Sequence, residues 1–464
     1  MFKNDSLLIR HVQVMGVNNN DEEVWMKSLK MAALAVIAGS LAACGGDDDK
    51  DYSYLRVLHA SPDAPAVDIL VNDEAVVEAA EFQQGTGYLR LSDGAKNVKV
   101  RVAGTETIAF ETDVTLEADG YYSVLAVNNV ADLDLKLIDD TENFFNGEND
   151  VTVVHASPSA GDVDIFVTAP DAMLDFAMPT LDAVAFPADA TLNDVAAGNY
   201  QVRVTPDESE QVVYNSGTVA IGGDLAVVAV NSTKGLAPVS LIAWSASGAS
   251  VVLDDSAELR VVHAVDSVTV DVFVDGTETL SSVAYKANSG YLTLTSGSKE
   301  VAIAAEDTGI DSALESLSGT VSLERGESYT VIAAGDTGDL DAATLIVLED
   351  RRMADDATQA NVRLVHGSSA SGADPVDIYV YENGTTQPAM PTLNDVTFTQ
   401  DSGYLTLAPA NYTVDITADN STQAAISGLD NLMFSAGDVK TAIAIGNGSG
   451  LEALLLDDSR SSAR

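Results

Sequence analysis

Histidine and aspartate recur together along the chain, and these side chains could act as a base and its orienting partner. Four of the five histidines end the same short apolar run, and an aspartate follows each one about nine residues later. The pairs are His59 with Asp68, His155 with Asp164, His263 with Asp271, and His366 with Asp377. A histidine oriented by an aspartate can take up a proton, and the same two side chains can bind a metal.

The rest of the sequence favours a structural role for these pairs. No nucleophile recurs beside them: the chain has no Gly-x-Ser-x-Gly or His-Glu-x-x-His motif, and Cys44 is its single cysteine. An enzyme also seldom needs four copies of one site in a row. Because a buried polar group must be paired, we predict that each histidine closes an inward-facing strand and bonds a buried carboxylate or a backbone carbonyl.

Three arginines and three tyrosines also recur at fixed positions. The arginines lie on the strand face opposite the histidines, where an aspartate of the next strand could pair with them. The tyrosines follow a glycine, where the ring could stack on a sugar or plug the core of the fold. The arginines are Arg56, Arg260 and Arg363, with Thr152 in the second repeat, and the tyrosines are Tyr88, Tyr291 and Tyr404.

One acidic loop is a candidate metal site. Asp336, Asp339 and Asp341 supply several oxygen ligands in a turn, as calcium requires, although the spacing is not that of an EF-hand. The equivalent turns of the other repeats carry almost no carboxylates, so we favour a solvated surface loop. Weak calcium binding is the alternative, and we expect no other cofactor.

The elements that position these residues are short strands. Apolar residues alternate with polar ones in stretches such as Val98 to Val102 and Tyr200 to Val204, and no helical period of any length is present. Alternation of this kind is typical of half-buried strands in an antiparallel sheet. With about seven strands per repeat, we predict an all-β chain of four tandem antiparallel β-sandwich (immunoglobulin-like) modules; a barrel is the alternative.

The repeats set the domain boundaries. We predict modules at residues 52–146, 150–255, 257–350 and 361–458, and a tail at 459–464. The second and fourth repeats share the insertion Ala-Met-Pro-Thr-Leu, at Ala177–Leu181 and at Ala389–Leu393. The joints between modules are short, so we expect a semi-rigid rod with limited bending.

The N-terminal region carries an export signal. A basic stretch and an apolar run end in Leu41-Ala42-Ala43-Cys44, which looks like a bacterial lipobox. We therefore predict a signal peptide at 26–43, lipidation at Cys44, and an acidic tether at 44–51; residues 1–25 fit an over-extended gene start. Gly45 follows the cysteine in place of an aspartate, so we expect transfer to the outer membrane, facing the periplasm or the cell surface.

The charge of the chain limits its partners. The formal net charge is −48, and such a surface repels nucleic acid and anionic membrane surfaces. We therefore expect contact with the membrane through the lipid on Cys44, and no nucleic-acid partner.

The motifs resemble those of a known family. The phrase His-Ala-Ser-Pro-Asp-Ala-Pro-Ala-Val-Asp at His59–Asp68, the Gly-Tyr-Leu turn and the Leu-x-Asp-Asp ending resemble the domain-of-unknown-function 4397 family of exported bacterial and archaeal proteins. The resemblance covers nearly all of residues 52–458. It implies tandem modules in an exported protein, and it implies no activity.

These observations favour a protein that binds over one that catalyses. We predict a non-catalytic array of modules for adhesion or ligand binding, which contacts extracellular polysaccharide or an envelope protein through loops at the module tips. One alternative is a passive spacer of the envelope. Another alternative is a hydrolase acting on an envelope or extracellular polymer. A hydrolase requires one module whose cluster of polar residues differs from those of the other modules.

Overall fold

The chain folds into β-sandwich modules, as the alternating pattern predicted. The computed structural model describes residues 51–144, 149–174, 177–266, 268–336, 339–370, 374–419, 421, 423–426, 431–446 and 451–460. These residues form 34 strands and three single-turn 3₁₀ helices. The all-β fold class is therefore confirmed.

The strands fall into four successive groups, which we call modules 1 to 4. Module 1 contains β1 (Tyr52–His59), β2 (Val67–Val71), β3 (Glu74–Ala80), β4 (Leu89–Ser92), β5 (Gly94–Val102), β6 (Ile108–Leu116), β7 (Tyr121–Val127) and β8 (Asp134–Asp139). Module 2 contains β9 (Val151–His155), β10 (Val163–Thr168), β11 (Leu181–Val184), β12 (Asp189–Leu192), β13 (Gly198–Pro206), β14 (Tyr214–Ile221), β15 (Leu225–Asn231), β16 (Val239–Ser245) and β17 (Gly248–Val252).

The second half of the chain repeats this arrangement. Module 3 contains β18 (Ala257–Val265), β19 (Val270–Val274), β20 (Thr277–Val283), β21 (Asn288–Leu294), β22 (Gly297–Ala305), β23 (Ser318–Leu323), β24 (Ser328–Asp336) and β25 (Asp339–Asp350). Module 4 contains β26 (Ala360–His366), β27 (Val376–Glu382), β28 (Leu393–Val396), β29 (Asp401–Leu407), β30 (Ala410–Ala418), β31 (Ala424–Ile426), β32 (Leu432–Phe434), β33 (Val439–Ile445) and β34 (Glu452–Asp457). The 3₁₀ helices are Val130–Asp132, Ile310–Ser312 and Glu315–Leu317.

Each module consists of two sheets, which we name after their repeated residues. The histidine sheet contains the strand that ends in the repeated histidine; its order is β4-β1-β7-β8, β12-β9-β15-β16-β17, β21-β18-β24-β25 and β29-β26-β33-β34 in modules 1 to 4. The aspartate sheet contains the repeated aspartate; its order is β3-β2-β5-β6, β11-β10-β13-β14, β20-β19-β22-β23 and β28-β27-β30-β31, with β32 also paired to β30. The repeated histidine and aspartate of a module therefore lie in different sheets.

One strand pair in each histidine sheet is parallel. The first strand of each module pairs in parallel with the strand that follows the aspartate sheet: β1 with β7, β9 with β15, β18 with β24, and β26 with β33. The other pairs in the described residues are antiparallel. Between the two parallel strands, the chain crosses to the aspartate sheet, forms strands there and returns to the histidine sheet. The alternation of apolar residues in the sequence does not reveal this connection.

The core of each module lies between its two sheets. In module 1, Leu55, Val57 and Val124 of the histidine sheet pack against Val98 and Val100 of the aspartate sheet. The intervening residues of β5 are only partly buried, so this strand is half-buried as predicted. Modules 2, 3 and 4 have equivalent cores.

The outer faces of the histidine sheets form a second kind of core, between modules. Module 1 packs on module 2 and module 3 packs on module 4, and each interface is an apolar cluster of buried side chains. Leu58 and Leu125 of module 1 meet Val228, Ile242 and Trp244 of module 2. The chain thus contains two pairs of modules, and the two modules of each pair pack face to face. This arrangement differs from the semi-rigid rod that the short linkers suggested.

The two pairs contact each other through hydrogen bonds of two arginines. Arg325 of module 3 donates through Nη1 to the carbonyl oxygens of Ser216, at 2.7 Å, and Leu253, at 3.2 Å. Arg460, after the last strand of module 4, donates to the Gly235 carbonyl of module 2 at 2.8 Å. In the described part of the chain, no helix is long and apolar enough to cross a membrane.

Candidate functional site

The repeated histidines are buried side chains at or near the ends of their strands. All four side chains are at most 2% exposed. In three modules, Nε2 donates to the carbonyl oxygen of a residue in the following loop: His59 to Pro65 at 3.2 Å, His155 to Gly161 at 2.9 Å, and His263 to Val268 at 3.0 Å. In modules 1 and 2, Nδ1 accepts from the backbone N–H two residues later, at 3.3 Å. This pattern requires the neutral tautomer protonated on Nε2.

Burial favours the uncharged imidazole at His59 and His263. Desolvation lowers the pKa of His59 and of His263, against the opposing effect of the hydrogen bond to the carbonyl. In modules 1 to 3 the imidazole contacts a carbonyl and not the repeated aspartate. These contacts hold the loop after the strand; they do not form a base oriented by a carboxylate.

An aromatic ring packs at the edge of every repeated histidine, and the sequence analysis missed it. The ring centroids are 6.1 to 6.5 Å apart and nearly perpendicular, for His59 with Phe82, His155 with Phe186, His263 with Tyr285, and His366 with Phe398. These rings also pack against the clusters between modules. A signal existed: in modules 1, 3 and 4 the ring precedes the tyrosine of Gly-Tyr-Leu by six residues.

The repeated aspartates each hold a strained residue of the neighbouring strand. Their Oδ1 atoms accept the backbone N–H of a residue with positive φ, at distances of 2.8 to 3.0 Å. The bonds join Asp68 to Ala79 (φ 51°), Asp164 to Ala183 (φ 47°), Asp271 to Ser282 (φ 54°) and Asp377 to Asp395 (φ 56°). Each accepting carboxylate stabilises the β-bulge at which the register of the two strands shifts.

The repeated arginines pair with a different aspartate from the one expected. Arg260 of module 3 donates through Nη2 to Asp458 of module 4 at 2.5 Å, and through Nη1 to the Asp457 carbonyl at 3.1 Å. Arg363 of module 4 donates in return to Asp350 of module 3 and to the Glu349 carbonyl, the latter at 2.8 Å. The partner is the aspartate that ends the module, because the aspartates on β2, β19 and β27 belong to the other sheet.

Each terminal aspartate also accepts from a tyrosine and a hydroxyl. The Tyr88 phenol donates to Asp140 at 2.8 Å, that of Tyr291 to Asp350 at 2.7 Å, and that of Tyr404 to Asp458 at 2.9 Å. Ser123, Thr330 and Thr441 donate to the same three carboxylates. Burial raises the pKa of all three tyrosines, so they stay protonated as donors. We call each Arg-Tyr-hydroxyl-Asp group an interface cluster.

The guanidinium groups lie over the tyrosine rings. The Cζ atom of Arg56 is 4.8 Å from the Tyr88 centroid, and that of Arg260 is 4.5 Å from the Tyr291 centroid. Tyr291 has a second guanidinium, Arg352, at 3.5 Å. The tyrosine rings are half-buried and contact arginines at the module interfaces. Of the two roles considered for them, this position favours packing within the protein over stacking on a sugar.

Module 2 lacks the whole interface cluster. Strand register aligns Thr152 with Arg56, Thr191 with Tyr88, and Ala226 with Ser123. Thr152 and Thr191 instead bond each other through their hydroxyls at 3.1 Å. Arg56 still crosses the interface, donating to the carbonyls of Trp244 at 2.8 Å and Ser245 at 3.1 Å. The Asp254-Asp255 pair, which matches the module ending in sequence, follows the extra strand β17, and Asp255 pairs with Arg325 of module 3.

Two predicted sites fall partly or wholly outside the described residues. Cys44, with the signal peptide and tether, lies in the segment 1–50. In the acidic loop, Asp336 is described at the end of β24, but the side chains of Asp339 and Asp341 are not. Lipidation and calcium binding at these positions stay predictions.

The fold and its repeated clusters define a tandem array of β-sandwich modules assembled in pairs. The model of a domain of unknown function (DUF4397) matches residues 53–166, 257–379 and 369–464. The chain therefore belongs to that family, which confirms the resemblance in its motifs. The matched segments leave out 167–256, most of module 2, which is also the module without an interface cluster.

Comparison with solved structures finds only weak similarities. The Bacillus anthracis TIE protein is 10% identical, with 86% of this chain and 69% of that one covered and a TM-score of 0.16. Family 41 carbohydrate-binding modules from streptococcal virulence factors, described as recognising alpha-glucan, are 11% identical, with 42% and 95% covered and a TM-score of 0.16. Similarities of this size carry no argument about function. No curated protein matches the chain.

Proposed function

We propose that the chain is a lipid-anchored protein of the outer membrane whose paired modules bind a polysaccharide or envelope protein without catalysing a reaction. This proposal rests on one observation: the repeated polar residues make hydrogen bonds that hold the protein together. The histidines, arginines, tyrosines and aspartates that could do chemistry bond loops, bulges and neighbouring modules. Residues committed to assembly leave the surface loops as the parts free to contact a partner.

The insertions of modules 2 and 4 are the proposed contact loops. Met178 is 89% exposed and Met390 is 78% exposed, at the same position of the two insertions. The loops are held alike, because the hydroxyls of Thr180 and Thr392 accept the N–H groups of Val167 and Val380 at 2.9 Å. An exposed methionine held on a fixed loop is an adaptable apolar contact.

A binding measurement tests this function. The chain is applied to immobilised polysaccharides and envelope fractions, with calcium and with chelator. We expect the variant Met178→Ser/Met390→Ser to lose at least tenfold in apparent affinity, because two modules of one chain bind together. Met353→Ser, which changes a methionine 66% exposed outside the insertions, is the matched control and should bind as the unaltered chain does.

A passive spacer is the alternative, and the apolar interfaces between modules favour it. Pairs joined by buried clusters hold a fixed length, which a spacer needs. If the folded chain binds none of the fractions in either condition, the spacer is the better account and the contact-loop proposal is wrong.

A further inference from the structure

The type of residue opposite the repeated aspartate differs between modules. On the neighbouring strand, Asp68 faces Arg101, Asp164 faces Thr205, Asp271 faces Ala304, and Asp377 faces Thr417. Side chains of directly opposed residues leave a sheet on the same face, with Cβ atoms about 5 Å apart. The buried carboxylate therefore has an arginine opposite it in module 1, an alanine in module 3, and a threonine in modules 2 and 4.

Module 1 supplies a fixed cation at this place. The Arg101 guanidinium donates to Asp68 Oδ2 through Nε at 3.1 Å and through Nη2 at 2.9 Å. Module 3 uses backbone N–H groups instead, because Asp271 Oδ2 accepts from Asp307 at 2.8 Å. In both modules, the second carboxylate oxygen has a donor of its own.

Module 4 brings three carboxylates together at the same place. Oxygens of Asp377, Asp395 and Asp419 all lie within 4.8 Å of one another. The Lys and Arg residues of the described part of module 4 contact other carboxylates: Arg363 contacts Asp350, Lys440 contacts Asp438, and Arg460 contacts Glu258.

The residue in the position of Arg101 is a buried hydroxyl. Thr417 is 0% exposed and its Oγ1 has no hydrogen-bond partner. A buried polar atom without a partner is rare, and a missing ligand is one explanation of it. Its strand position directs it to the face that carries Asp377. Where module 1 has a positive side chain, module 4 thus has an unused oxygen and two additional carboxylates.

We propose that module 4 binds a calcium ion between Asp377, Asp395 and Asp419, with the Thr417 hydroxyl beside it. Three carboxylates and a hydroxyl are hard oxygen ligands, and calcium accepts irregular sets of six to eight such ligands, with water completing the shell. A partly exposed site of this kind belongs with extracellular modules, whose dissociation constants are about 0.1 to 1 mM. This site is independent of the proposed binding function.

Module 2 provides the internal control. It has Asp164, Asp207 and the buried Thr205, whose hydroxyl also has no partner, but Ala183 stands where module 4 has Asp395. With one carboxylate fewer, we expect it to bind calcium more weakly. Asp207→Asn is therefore matched to Asp419→Asn in position, and Ala183→Asp supplies the third carboxylate.

Calorimetric titration of the purified full chain with calcium chloride at constant ionic strength tests the site. We expect one saturable site that Asp395→Asn/Asp419→Asn weakens at least tenfold and Asp207→Asn leaves unchanged. Ala183→Asp should add a second site. In chelator, the double variant should unfold at a higher temperature than the unaltered chain, because it removes repulsion between carboxylates. No saturable binding, or binding unchanged in the double variant, overturns the proposal; so does a double variant less stable in chelator.

Discussion

At the scale of single residues, the repeated histidine is a buried hydrogen-bond donor in modules 1 to 3. Its two nitrogens have different tasks, since Nε2 donates to the loop carbonyl and Nδ1 accepts from the backbone in modules 1 and 2. A protonated ring would have to donate through both nitrogens, which breaks the second bond. The loop after the strand therefore depends on the charge state of the ring.

This dependence predicts how stability changes with pH. Because the folded-state pKa of His59 is lowered, its contribution is complete above about pH 6.5, the value of an unperturbed histidine. Below that pH the unfolded chain gains protons first. The free energy of unfolding should therefore fall by up to about 1.4 kcal/mol per pH unit for this residue.

Urea unfolding at pH 7.5 and pH 5.5, followed by the fluorescence of Trp244 at the interface of modules 1 and 2, measures the effect. His59→Gln keeps a donor and does not titrate, so its loss of stability between the two pH values should be smaller than that of the unaltered chain. Asp140, whose pKa is raised by burial, affects both proteins alike. If both proteins lose the same unfolding free energy between pH 7.5 and pH 5.5, His59 does not take up a proton on unfolding in this range and the prediction is wrong.

At the scale of strands, the two sheets of a module differ in how well the sequence predicts them. β5 and β13 belong to aspartate sheets, and their alternating sequences predict a sheet with one face in the core and the other partly exposed to solvent. The histidine sheets contain unbroken apolar runs such as Val124-Leu125-Ala126-Val127, because both of their faces are buried. A run of this kind gives no information on which module covers the outer face.

Trp244 tests whether that outer face stabilises the pair. Its side chain is 0% exposed, and its indole N–H donates to the Thr86 carbonyl of module 1 at 2.7 Å. Trp244→Ala should cost about 3 to 5 kcal/mol of unfolding free energy, the usual cost of removing a buried aromatic side chain. Val251→Ala, at a residue 41% exposed in the same module, should cost less than about 0.5 kcal/mol. Similar costs for the two variants would mean that the interface adds little.

At the scale of the whole molecule, the repeats revealed four β modules but not their pairing. The residues that pair them were visible as Arg56, Arg260 and Arg363, yet their partners lie up to 198 positions away in the chain. Sequence spacing cannot identify contacts over such distances. The loss of the cluster in module 2 was visible only as Thr152, because its other substitutions become recognisable once strand register aligns them.

Truncation distinguishes pairing from independent modules. A chain ending at Asp350 exposes the apolar face of module 3 that Val365, Ile443 and Ile445 of module 4 normally cover. We expect this chain to self-associate in sedimentation and to bind a hydrophobic dye. A chain ending at Asp255 stops between the pairs, where arginines make hydrogen bonds, and should sediment as a monomer. If the chain ending at Asp350 is monomeric and does not bind the dye, the proposed pairing of modules 3 and 4 is wrong.

The exchange between Arg260 and Arg363 has a consequence for how such a chain can grow. Each arginine neutralises a carboxylate in the other module. Deleting module 4 would leave Arg260 and Asp350 of module 3 with only the longer contact between them, 3.7 Å, in place of their close partners. An inherited gain or loss of a single module would carry that defect, whereas a gain or loss of two adjacent modules would not. In this half of the chain, a gain or loss of modules two at a time is therefore the change that keeps the exchange intact.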